Sequence, residues 1–95
     1  MRVEPCSHEK DGYDDVVLAV KIQAGKPVQF EAERAGLQKS LQQKGFDAQV
    51  SAQGEDSRQG VLEVRVCKPA DQITQEAIRG MEAVIRGQGG QVLQN

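Results

Sequence analysis

Few side chains here carry reactive chemistry, and their spacing limits it further. Cys6-Ser7-His8 sets a thiol and an imidazole two residues apart, and Cys67 is the other cysteine. One such pair offers two metal ligands, whereas structural zinc takes four. His8 is the only histidine, so a Cys–His or Ser–His nucleophile pair has to be built on it. Cys67 has no base nearby in sequence. No catalytic residue, metal or cofactor is therefore assigned. A second group is Gln23-Ala24-Gly25-Lys26-Pro27. Gly and Lys ahead of a helix can receive an anion, which makes Gly25 and Lys26 the anion-loop candidates. The Walker spacing is missing. A third group, Lys21, Asp47, Glu63 and Arg65, combines both signs of charge on alternating strands and is the candidate binding surface.

The elements that position these groups follow from hydrophobic period. Val16-Val17-Leu18-Ala19-Val20-Lys21-Ile22 is the most strand-like stretch, apolar on one face and nearly so on the other. That pattern belongs inside a sheet. Phe46 to Ala52 and Val61 to Cys67 alternate strictly, as half-buried strands do. A helix is expected from about 28–30 to Lys44, with Phe30, Leu37 and Leu41 on its apolar stripe. Glu31 and Glu33 suit the start of its macrodipole and Lys39 and Lys44 the end. Gly36 is read as a point of close approach to the sheet, and Gly45 as the C-terminal stop. Asp71 is the expected N-cap of a second helix with Ile73, Ala77, Met81 and Val84 inward, stopped at Gly87. Gly89-Gly90 turns the chain into a short strand at 91–94.

The order is strand, helix, strand, strand, helix, strand. Right-handed crossovers make this an α+β, ferredoxin-like βαββαβ two-layer sandwich, a four-stranded antiparallel sheet with two helices on one face. The domain is expected over 15–95. Residues 1–14, with Pro5, Gly12 and several acidic residues, are expected as a flexible N-terminal tail.

Composition narrows the function. Net charge is −2, from 12 basic and 14 acidic residues, which argues against a phosphate-backbone binder. Aromatics are 3% of the chain, and the open sheet face (Val17, Ala19, Lys21, Asp47, Gln49, Ser51, Glu63, Arg65) holds none, so bases have nothing to stack on. No leader or membrane span is legible, and a chain with two thiols reads as cytoplasmic with both reduced.

Several resemblances bear on function. The loop at Gly25-Lys26 is similar in position to the phosphate loop of acylphosphatases, which implies an enzyme of that type. The loop lacks their Arg, and the only Asn is Asn95. The run Leu37 to Val50 resembles the helix-to-strand passage of sporulation-related repeat (SPOR) domains, which implies cell-wall glycan on the open sheet. Cys67-Lys68-Pro69 stands where those domains carry a Gly-Pro-Phe-like turn. Ribonuclease E inhibitor proteins share the element order, but their aromatic ending after the last strand has no counterpart in Gln91 to Asn95. A small-ligand sensor similar to ACT domains is a further alternative. No functional residue is carried over from any of them. The expectation is a small non-enzymatic binding or regulatory adaptor with a protein partner, no nucleic acid and no membrane, able to form a homodimer through its last strand.

Overall fold

The computed structural model describes residues 1–6, 11–23, 27–52 and 60–93. Its elements are β1 (Arg2–Pro5), β2 (Tyr13–Lys21), α1 (Pro27–Gln43), β3 (Asp47–Ser51), β4 (Val61–Pro69), a 3-10 turn (Ala70–Gln72), α2 (Gln75–Gly87) and β5 (Gln91–Leu93). Together they make a mixed α+β structure of two α-helices and one antiparallel sheet of five strands. The order is β1-β2-β4-β3, with β5 also paired to β2. β1 runs beside Asp14–Val17 and β5 beside Ala19–Lys21, so the two short strands share one lane along β2.

The two interior strands, β2 and β4, are the most apolar ones, as burial on both sides demands. Val16, Leu18 and Val20 of β2 meet Val66, Val64 and Leu62 of β4 in register. With Ala48 and Val50 of β3 they form one core, closed by Leu37 and Leu41 of α1 and Met81 and Ile85 of α2. Phe30, Phe46, Ile73 and Val92 pack around its margin. Both helices therefore cover the same sheet face.

Each helix stops by the same device. Gly45 has φ +90° and Gly89 has φ +85°, a region open to glycine without steric cost. Phe46 N–H donates to Leu41 and Gly45 N–H to Gln42; Gly90 N–H donates to Ile85 and Gly89 N–H to Arg86. These are Schellman closures, and each delivers the chain directly into a strand.

Several expectations give way here. The sheet has a fifth strand: Arg2–Pro5 pairs with β2 where a tail was expected, because Val3 and the flanking charges match Val16 and its neighbours in register. The N-cap of α2 is Thr74, whose Oγ1 accepts from Ala77 N–H; Asp71 lies in the preceding 3-10 turn. The stop is Gly89, while Gly87 is still helical. α1 begins at Pro27 and ends at Gln43, which puts Glu31 and Glu33 beyond its first turn and Lys44 just after its last residue. A Cβ at Gly36 would meet nothing within 4 Å, so that glycine serves no close approach. No helix among the described residues is long and apolar enough to cross a membrane.

Candidate functional site

Register sets the odd-numbered residues of β2 and β4 on the sheet face away from the helices. One row across it reads Glu4, Asp15, Cys67 and Asp47. The next reads Arg2, Val17, Arg65 and Gln49, and a third pairs Ala19, Glu63 and Ser51. Acidic and basic rows thus alternate, and side chains reach diagonally between them.

Arg65 is the hub. Its Nε donates to Glu63 at 2.5 Å, and its Nη1 lies 2.8 Å from Glu4 and 3.4 Å from Asp15. Arg2 donates from Nε to the same Glu4 and reaches Glu63 at 3.9 Å. The hydrogen bonds from Arg2, then Arg65, hold the Glu4 carboxyl below its ordinary value. The hydrogen bond to Glu63, against partial desolvation, raises Arg65. Asp15 is buried, at 1% exposure, beneath this network. Val17 is buried too, between Arg2 and Arg65 in register. The face expected to be open is therefore covered at this end by β1 and its charges.

A disulfide completes the cover. Cys6 leaves the end of β1, donates its N–H to Tyr13, and is bonded to Cys67 across β2, with Cα atoms 5.7 Å apart. This corrects the expectation of reduced thiols. The two cysteines are 61 residues apart, and only the packing of β1 on β2 brings them together. Cys6, Asp15 and Cys67 are all buried, with their Sγ and carboxylate atoms within 4.8 Å of one another.

Of the residues expected here, Glu63 and Arg65 join the network. Lys21 sits further along β2, opposite Val61 and Gln91, exposed and in no ion pair among the described residues. Asp47 lies opposite Cys67 at the far edge, exposed. Gly25 and Lys26 lie outside the described residues. Sequence reading missed Arg2, Glu4 and Asp15, although strand parity carried down to Asp15 places it on this face. The face also gains an aromatic residue: β2 starts at Tyr13, which shares the parity of Asp15 and lies opposite Pro69.

The two sheet edges differ. On β3, three residues of α1 spaced one turn apart reach over the rim. Gln38 Oε1 accepts from Val50 N–H at 2.9 Å, Arg34 Nη1 donates to Val50 C=O at 2.9 Å, and Gln42 Nε2 donates to Ala48 C=O at 3.2 Å. Of the groups this edge points outward, Val50 N–H, Val50 C=O and Ala48 C=O are occupied. On the opposite edge no strand lies beyond β1 or β5 among the described residues. Tyr13 C=O faces that lane, so the odd residues of β2 bond to it. By alternation Val3 and Val92 turn their own N–H and C=O groups outward.

The chain matches no protein-family model, no curated protein and no solved structure.

Proposed function

We propose that this chain is a non-enzymatic binding domain that recognises an extended segment of a protein partner along the β1/β5 edge. The observation that carries the reading is the asymmetry of the edges. α1 caps one edge with side chains, and the other presents outward backbone groups at Val3 and Val92. Unpaired strand edges are templates for another strand, and main-chain hydrogen bonds supply affinity there. The alternating charges of Arg2, Glu4, Glu63 and Arg65, with Lys21 beyond them, give side-chain selectivity beside it.

The architecture fits this role as a ferredoxin-like sandwich. The lane order β5-β2-β4-β3 and the order of elements along the chain support that reading, with β1 taken as an addition to it. A second copy can serve as the partner segment, giving a homodimer.

The test is affinity capture from native lysate with three baits: wild type, Val3→Pro/Val92→Pro and Lys21→Glu/Arg65→Glu. Proline removes outward N–H groups and leaves the bonds to β2 in place. The expected outcome is loss of the captured partner with the proline pair and weakened capture with the charge pair. A partner retained in full by both double variants overturns the reading.

A further inference from the structure

We propose that Cys6, Asp15 and Cys67 form, when the disulfide is reduced, a binding site for a thiophilic divalent cation of the zinc class. The inference goes beyond the strand-edge reading and does not depend on it. Three independent features converge. The ligand atoms lie within 4.8 Å of one another on three different segments: Asp15 and Cys67 are register partners on β2 and β4, and Cys6 directly follows β1. Two thiolates around a tetrahedral ion with bonds of about 2.3 Å stand roughly 3.8 Å apart, a spacing this cluster reaches by opening one S–S bond. All three residues are buried, at 5%, 1% and 6% exposure, so competing water is largely excluded.

Charge and outer contacts fit as well. A divalent ion offsets the two thiolates, and the Arg65 guanidinium, which also serves Glu63 and Glu4, has its Nη1 3.4 Å from Asp15. Outer-shell hydrogen bonds of this kind orient metal-binding carboxylates. Three protein ligands leave a fourth position for water.

The chemistry balances with a dithiol as reductant. Its two S–H bonds are exchanged for one S–S bond, and the Cys6–Cys67 bond becomes two thiols. Metal binding then releases both thiol protons to solvent. Disulfide and metal are thus alternative occupants of one position, and each ties β1 to the sheet.

The experiment reduces the full chain with a trialkylphosphine, which takes an oxygen from water as it leaves two thiols. After anaerobic removal of the phosphine, Co²⁺ is titrated in. The expected result is one equivalent bound, with a thiolate-to-cobalt charge-transfer band, displacement by Zn²⁺, and no band in the oxidised protein. Asp15→Asn is expected to weaken binding about tenfold or more. Zn²⁺ is expected to slow alkylation of both cysteines in the wild-type chain, a readout that needs no variant to fold. Two titrated thiols with neither band nor protection overturn the site, and unchanged affinity in Asp15→Asn overturns the three-ligand assignment.

Discussion

At the scale of single residues, Arg65 and the disulfide decide what the charged face is. Arg65 reaches three carboxylates, one of them the buried Asp15. Isolated surface pairs contribute little, but removing a partner from a buried charge costs more. The Arg65 side chain is 27% exposed, which tempers the effect, so Arg65→Met is expected to cost about 1–2 kcal/mol in urea denaturation. Glu4 gives the pH dependence. Its folded value lies below the ordinary 4.5, so its contribution is in place above that pH and is lost as pH falls through the folded value. Amide protection in β1, taken relative to the intrinsic exchange rate at each pH, should therefore fall on acidification below about 4.5 before protection in β4 does. An equal fall in both strands would show that Glu4 does not hold β1. The disulfide closes a 61-residue separation, worth about 4 kcal/mol in the chain-entropy account. Reduction in metal-free buffer should lower stability by roughly that amount.

At the scale of elements, α1 does two tasks. Leu37 and Leu41 bury one face, while Arg34, Gln38 and Gln42 seal the edge of β3. Gln38→Leu with Arg34→Leu frees both backbone groups of Val50. Sedimentation should then show concentration-dependent association absent from the wild type's β3 edge, and a variant no more associated than wild type would remove the sealing role. The same helix carries an unneeded glycine. Space around Gly36 is open, so Gly36→Ala should stabilise by about 0.5–1 kcal/mol through helix propensity, read as a raised denaturation midpoint. In α2, Thr74→Ala should cost about 1 kcal/mol, since its hydroxyl accepts the Ala77 N–H.

At the scale of the whole molecule, one edge is capped by α1 and the other, among the described residues, has no strand beyond it, and this asymmetry bears on assembly. In the proposed pairing through the β1/β5 lane, two copies join and growth is disfavoured at the opposite edge, where α1 side chains occupy Val50 N–H and the Val50 and Ala48 carbonyls. Light scattering at high concentration should show nothing larger than a dimer, reduced to monomer by Val3→Pro/Val92→Pro. A wild-type monomer throughout would leave the edge to a different partner.

Much of the architecture was legible because local pattern and tertiary burial agree. Five of seven residues from Val16 to Ile22 are Val, Leu or Ile, and that stretch is an interior strand. The alternation over 46–52 and 61–67 set which residues face the core, and the outward parity of Glu63 and Arg65 followed from it. Helix ends were less legible, because Asp71 and Thr74 are both competent caps and Gly87 and Gly89 both competent stops; hydrogen-bond geometry selects between them. What only the tertiary structure decided is how β1 and Cys6 fold back onto β2. A four-residue strand holding Arg, Glu and Pro has no local pattern that marks it. Its register with Asp14–Val17 is a long-range choice, made by charge rows and by a bond to a cysteine 61 residues away. By periodicity alone, the chain determined its core. Only chain folding placed Cys6, Asp15 and Cys67 together, because their proximity comes from strand pairing and not from sequence spacing.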